Sequence, residues 1–366
     1  MNAIKSVLGL MSGTSLDGID LAVMQTDGEQ RIEFSRGGFV PYSAETRRLL
    51  RAVLDDVATR DTSALKRRRS GLLVEAEAAV TKTHIDAVQN FLTPDDAIDL
   101  IGFHGQTIIH RPDEGFTLQI GDGQALAEAL SIDVVGQFRL ADMAAGGQGA
   151  PLAPLYHAAL IGDARPQAVL NLGGVANMTW LGAGDAILAF DTGPANALLD
   201  DWVKAKTGNP FDQDGALAAR GTVDESVLDM LLAHDYFDRL PPKSLDRLSF
   251  PTEAVNRLSP EDGAATLTAF SAAAVARGLA CCPQLPEQLI LCGGGRHNPT
   301  LCAMLAARCD ITVVDCDSLG WRGDSLEAQA FAWLAMRAVK GLPLSRPETT
   351  AVRAPCSGGE LYRAGS

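Results

Sequence analysis

The stretch Gly9-Leu10-Met11-Ser12-Gly13-Thr14-Ser15-Leu16-Asp17-Gly18-Ile19-Asp20 joins two apolar runs, Ser6 to Met11 and Ile19 to Met24. The pattern is a strand, a turn of small hydroxyl and glycine residues, and a second strand. Gly13 and Gly18 permit close backbone approach and positive φ. Two readings of the turn stand side by side. One is an ordinary hairpin, whose turns favour Gly, Ser and Asp. The other is a phosphate cradle, in which the turn's N–H groups form an anion-binding concavity and Ser12, Thr14 and Ser15 add hydroxyl donors. Asp17 and Asp20 would repel a bare phosphate, so the cradle reading requires Mg²⁺ between carboxylate and phosphate. It therefore points to Mg-ATP rather than to a free anion.

The chain repeats this opening. Ala168 to Leu181 is again strand, glycine turn, strand, similar in form to Val7–Met24 though not in residue identity. Such an echo in the second half signals duplication. Further on, Asp99 to Phe103 reads as a short strand leading into a His104-Gly105-Gln106-Thr107 loop, and Ile187 to Phe190 as a strand ending in an Asp191-Thr192-Gly193-Pro194 turn. Leu289 to Cys292 reads as a strand ending in Gly293-Gly294-Gly295, Leu326 to Val339 as a long alanine-rich helix, and the tail from Pro343 as coil. At 366 residues the chain exceeds what one hydrophobic core usually serves. The expected architecture is two related α/β domains facing each other across a cleft lined by strand-end loops, divided as 1–140 and 141–366, with the packing of the C-terminal segment back on the first domain left open.

Bulk composition excludes several classes of partner. A net charge of −14 argues against nucleic acid and against docking on an anionic membrane. No segment has the length of a membrane span, and the N-terminal apolar run is broken too early for a signal peptide, so the expected location is the cytoplasm. Seven cysteines occur with no Cys-x-x-Cys pair and no histidine cluster, which reads as buried thiols in a reducing compartment rather than a zinc site.

Taken in order, Gly13-Thr14-Ser15-Leu16-Asp17-Gly18-Ile19-Asp20, Gly102-Phe103-His104-Gly105-Gln106-Thr107, Asn171-Leu172-Gly173-Gly174, Phe190-Asp191-Thr192-Gly193-Pro194 and Gly293-Gly294-Gly295 resemble the anhydro-N-acetylmuramic acid kinases, a branch of the actin/hexokinase/Hsp70 ATPase superfamily. The resemblance runs from about residue 7 to about residue 340. It implies two related actin/hexokinase-like (ribonuclease H-like) domains flanking an ATP and substrate cleft. It implies an enzyme that uses ATP and water to open the ring of 1,6-anhydro-N-acetylmuramic acid, giving N-acetylmuramic acid 6-phosphate and ADP in peptidoglycan recycling. A homodimer is also implied.

The resemblance assigns roles residue by residue. Asp191 is the general base that takes a proton from the attacking water; the alternative is an N-cap aspartate for the following helix. Residues Gly13 to Asp20 hold the nucleotide phosphates, with Asp17 as the Mg²⁺ ligand. Gly173 and Gly174 clamp the β- and γ-phosphates, against the alternative of a glycine bulge. Gly293, Gly294 and Gly295 form the adenosine loop, with Arg296, His297 and Asn298 near the ribose. His104, Gln106, Arg139 and Thr192 contact the sugar. For His104 the alternative is a core histidine. Arg139 suits the lactyl carboxylate because guanidinium donates two parallel hydrogen bonds; the alternative is an Arg139–Asp142 surface ion pair. Glu327 is a further acidic candidate, or an exposed helix glutamate. Ala195 departs from the glycine often found after the Asp-Thr-Gly-Pro turn. Two competing functions remain: a kinase of another small molecule, and an ATP-driven switch or filament protein.

Overall fold

The computed structural model describes residues 4–13, 15–67, 71–245 and 250–365. The chain divides into two compact units, residues 1–160 with 325–366, and residues 161–324. The C-terminal segment groups with the first unit, and the second unit is one continuous stretch.

The first unit is built on a seven-stranded sheet. Its strands are β1 (Lys5–Ser12), β2 (Gly18–Thr26), β3 (Ile32–Pro41), β4 (Leu100–Arg111), β5 (Phe116–Ile120), β6 (Val134–Gly136) and, from the far end of the chain, β12 (Glu360–Tyr362). The order is β12-β6-β4-β1-β2-β3, with β5 paired to the outer half of β4. Helices α1 (Ala44–Ala58), α2 (Thr62–Arg67), α3 (Gly71–Phe91), α4 (Gly123–Leu130), α5 (Leu140–Ala144) and α6 (Pro154–Ile161) follow in chain order. Local chemistry sets their ends. The Ser43 hydroxyl accepts from the Thr46 N–H to start α1, whose Leu50, Val53 and Val57 then recur on one buried face. Asp122 accepts from the N–H groups of Gln124 and Ala125 to start α4.

The second unit carries a five-stranded sheet: β7 (Gln167–Leu172), β8 (Val175–Leu181), β9 (Ile187–Pro194), β10 (Gln288–Cys292) and β11 (Thr312–Asp315), in the order β11-β10-β7-β8-β9. Its helices are α7 (Asn196–Thr207), α8 (Glu225–Leu232), α9 (Pro260–Ala280) and α10 (Pro299–Cys309). Helix α9 is lined with small buried residues, among them Gly263, Ala264, Ala265 and Ala272, which let it lie close to its neighbours.

The duplication expected from the two hairpins is visible in the topology. Each sheet opens with three antiparallel strands, and the first of these then pairs in parallel with a fourth strand that pairs in parallel with a fifth. The two α/β units thus share one strand order.

The late helix α11 (Leu326–Val339) lies on the first sheet. Gly9 and Gly102 are side by side in the β1–β4 register. A β-carbon at Gly9 would overlap the carbonyl oxygen of Ala328, and one at Gly102 would overlap that of Phe331. Two adjacent glycines therefore form a trough into which the helix backbone settles. The tail is not the coil expected from its prolines and glycines. It contains α12 (Pro347–Thr350) and then β12, which pairs antiparallel with β6.

Gly9→Ala is expected to cost about 1–3 kcal/mol by overpacking, whereas Gly71→Ala, where a β-carbon meets open space, stays within about 0.5 kcal/mol of wild type. Urea unfolding compares them, and equal stability of the two variants would refute the trough.

Candidate functional site

In the first unit, the turn after β1 is held from below. The Ser12 hydroxyl donates to Gly105 O at 3.0 Å, and Gln106 Nε2 donates to Gly13 O at 3.0 Å and to Thr107 O at 3.2 Å. The positive φ expected of the glycines falls instead on Leu16, at 58°, and its side chain is buried in the core. Gly18 is needed for space, because a β-carbon there would overlap Val40 O. At Gly13 a β-carbon would meet only Ser15 Oγ, at 3.6 Å. Asp17 is exposed, and its Oδ1 accepts from Ser15 Oγ at 2.6 Å and from Gly18 N at 3.0 Å. Ile19 is buried, and Asp20 pairs with Met11 and Phe39 within the sheet. Thr14 lies outside the described residues.

His104 and Gln106 do not sit on a loop. Strand β4 continues through them to Arg111, because β5 folds back and pairs with its outer half. His104 is buried, with Nδ1 at 2.8 Å from Gly105 O and Nε2 at 2.9 Å from Arg139 Nη2 and 3.2 Å from Arg139 Nε. A guanidinium can only donate, so Nε2 accepts and the proton sits on Nδ1. Burial, and then Arg139, hold this imidazole well below its usual pKa and keep it neutral. Arg139 Nη1 donates to Gly149 O at 2.7 Å. Its expected alternative, an ion pair with Asp142, does not form. Asp142 accepts instead from Gly149 N at 2.6 Å, from Thr350 Oγ1 at 2.7 Å and from the Ser345 hydroxyl. Burial lowers the Arg139 pKa to about 10, against the opposite pull of Glu327, which is exposed on α11, and of Asp142.

In the second unit, Asp191 lies within β9 rather than in a turn after it. The register slips between Ala176 and Asn177: Asn177 faces Asp191, while Ala176 faces Gly193. Thr192 is the extra residue of a β-bulge, a device that re-aims neighbouring side chains. Thr192 itself is buried, its hydroxyl donating to Ala176 O at 3.3 Å. Among the described residues, four groups fix Asp191. Asn177 Nδ2 donates to Oδ1 at 2.9 Å, Leu245 N donates to Oδ2 at 2.7 Å, the main-chain N–H donates to Lys243 O at 2.9 Å, and the Tyr236 hydroxyl donates to the main-chain carbonyl. The N-cap reading fails, because α7 starts at Asn196 with Ala195 before it. Burial pushes the Asp191 carboxyl up to about 6, against the opposite pull of the Asn177 and Leu245 donors.

The hairpin glycines meet the start of α7. Gly173 O accepts from Asn196 N at 3.0 Å, and Gly174 O from Ala195 N at 3.0 Å. Neither glycine has positive φ, and Ala195 takes φ −120° and ψ −103°. In the triple-glycine loop, Gly293 has φ 76° and crowds the Asn171 side chain, Gly295 packs on Leu172, and Gly294 faces open space. Arg296 is not free to reach a ribose. Its buried guanidinium donates to Asp324 at 2.6 Å and Asp317 at 3.1 Å. His297 contacts Asp324, and Asn298 caps α10. Asn177, Tyr236, Lys243 and Leu245 were not assigned from sequence. Asn177 lay inside a quoted hairpin, but only the bulged register places it opposite Asp191.

Three further histidines of the first unit, His84, His110 and His157, are lowered to about 4 by burial, as His104 is lowered. Each is neutral when folded and takes a proton when unfolded below about pH 6.5, so stability is lost as pH falls from there towards 4. The urea midpoint is expected to drop over that window, and His84→Met to lessen the drop; an unchanged slope would count against it.

A family profile described as anhydro-N-acetylmuramic acid kinase matches residues 5–364. The chain is 52% identical over 362 residues to an anhydro-N-acetylmuramic acid kinase of Rhizorhabdus wittichii, covering 97% of this chain and 98% of that one. It is 51% identical over 375 residues to another of Methylobacterium nodulans, covering 97% and 99%. Among solved structures it is similar to a xylulose kinase from Lactobacillus acidophilus, with TM-score 0.46, 11% identity and coverage of 99% and 94%. With the match spanning nearly every residue, the chain belongs to the anhydro-N-acetylmuramic acid kinase family.

Proposed function

We propose that this kinase couples two events on 1,6-anhydro-N-acetylmuramic acid: hydrolytic opening of the anhydro ring and ATP-dependent phosphorylation of O6. The products are N-acetylmuramic acid 6-phosphate and ADP, as cell-wall recycling requires. Asp191 accepts a proton from water. The water oxygen forms its bond to C1 as the C1–O6 bond breaks, and O6 takes the γ-phosphoryl group as its bond to ADP breaks. The observation that supports this role is the carboxylate's setting. It is partly buried, fixed at both oxygens, and raised to about 6, so it is ionised at neutral pH yet basic enough to take a proton.

In the first unit, main-chain N–H groups of the turn between Gly13 and Asp20 and the Ser15 hydroxyl address the nucleotide phosphates, while Leu16 and Ile19 anchor that turn in the core. Asp17 fits a magnesium ion, reached through water: it is exposed, and its Oδ2 takes no hydrogen bond among the described residues. The ion, when bound, neutralises phosphate charge and orients the γ-phosphoryl group. In the second unit, Gly173 and Gly174 address the β- and γ-phosphates, and Gly293, Gly294 and Gly295 the adenosine. The open space at Gly294 and the ordinary contacts at Gly173 and Gly174 leave room there. Arg139, oriented by His104, binds the lactyl carboxylate of the sugar, Gln106 holds the turn through Gly13, and Thr192 acts from beneath Asp191.

ADP release coupled to the anhydro sugar in ¹⁸O-water is expected to place one ¹⁸O at C1 of the sugar phosphate. Asp191→Asn is expected to lower turnover by about 10²–10⁴-fold with ATP binding kept, and wild-type kcat/KM to fall below pH about 6. Sugar-independent ADP release would move the assignment to another small molecule or to a nucleotide switch. Arg139→Lys, which loses the forked donor, is expected to raise the sugar KM about 10–100-fold. An analogue without the lactyl group should be indifferent to the change; an equal effect on both would remove Arg139 from carboxylate recognition.

A further inference from the structure

Asn177 stands on β8 directly opposite Asp191, at the step where the register slips. Its amide reaches across the strand pair and donates to Asp191 Oδ1 at 2.9 Å, while Leu245 N–H holds Oδ2 at 2.7 Å. We propose that Asn177 is the positioning residue of the base: it fixes the plane of the Asp191 carboxylate and, as a neutral donor, sets how readily that carboxylate takes a proton. This rests on the reading of Asp191 as general base.

The choice of amide follows from what the site needs. A cationic partner would hold the carboxylate ionised and weaken it as a base. A second carboxylate would share a proton with it. A shorter hydroxyl side chain would not span the strand pair to the same oxygen. An amide keeps its charge at zero through the whole pH range and carries both a donor and an acceptor. It can therefore donate to the carboxylate before proton transfer and, after a flip, accept from the carboxylic acid that results. The Leu245 N–H can only donate.

The other groups around Asp191 do not share this role. Tyr236 is buried, with its hydroxyl on the main-chain carbonyl of Asp191 rather than on the carboxylate, and burial raises its pKa far above neutral. Lys243 turns its Nζ to Tyr236 O at 3.0 Å and over the Tyr236 ring, with Cys281 the group that faces it from the end of α9. Thr192, the bulged residue, points into the core. Among the described residues, only Asn177 donates to the carboxylate through a side chain.

The test compares wild type, Asn177→Ala, Asn177→Asp and Asp191→Asn. The readouts are the pH profile of kcat/KM, the separate KM values for sugar and ATP, and direct titration of the Asp191 carboxyl by ¹³C NMR. Loss of the amide donor is expected to move the acid limb and the NMR titration of Asp191 upward together in Asn177→Ala, and further in Asn177→Asp, where a like charge is added at nearly constant shape. The plateau kcat of Asn177→Ala is expected to fall about 10–100-fold, with both KM values changed less than about threefold. NMR reports on Asp191 even where turnover is lost. If Asp191→Asn is inactive and the Asn177 variants are slowed with limb and titration unmoved, Asn177 is merely structural and the proposal is overturned while the base reading survives. If Asp191→Asn keeps its turnover, the base reading fails and takes the proposal with it.

Discussion

The first unit depends on the close approach of a helix backbone to a sheet. Side chains normally hold a helix about 10 Å from the strands it covers. Gly9 and Gly102, adjacent in the β1–β4 register, remove that spacing at one point, and α11 comes down with Ala328, Ala332 and Ala335 towards them. Small residues on both sides make the seam, and at Gly9 and Gly102 the requirement is steric rather than conformational. The turn after Ser12 follows directly from β1, and the His104–Gln106 segment lies within β4. The helix that locks them together therefore sets the base on which those groups stand.

The two units share a strand order and have diverged at the hairpin turns. In the first, the turn is stabilised by a buried leucine in the left-handed region and by a glutamine reaching up from β4. In the second, two glycine carbonyls are taken up by the first N–H groups of α7. That arrangement spends the helix N-terminus on the protein's own backbone. The bulge at Thr192 is the second departure. It lets one strand bury a threonine and present the neighbouring aspartate to an asparagine across the ladder.

Much of this was legible before any coordinates. Apolar runs bounded by glycine turns located both hairpins, and the alanine-rich stretch 326–339 gave α11 at its observed bounds. Fold class followed from the repeat of strand, turn and strand. What failed were ends and contacts. His104 was read as a loop residue because polar side chains ended the apolar run, yet pairing with β5 carries β4 eight residues past Phe103. Asp191 was read as a turn residue because Thr-Gly-Pro follows it, yet β9 extends through that triplet. The tail looked like coil because its three pairing residues, Glu360 to Tyr362, are too few to show a period. Long-range partners such as Tyr236 and Leu245 leave no local trace, since nothing in their own neighbourhoods reflects an aspartate some fifty positions earlier.

The seat of α11 also bears on how the chain is made. Strands β1 to β6 leave the ribosome early, but the helix that fills their glycine trough and the strand that closes their edge come from residues after 325. The intervening 161–324 segment is continuous and carries its own sheet, so it can close on itself as soon as it emerges. The first unit must wait, with a bare groove across the middle of its sheet, until α11 and β12 have emerged. Translation at about 5–20 residues per second turns the stretch from Gly136 to Leu326 into roughly ten to forty seconds of exposure. In this fold, the unit that begins first is completed only after the unit inserted within it.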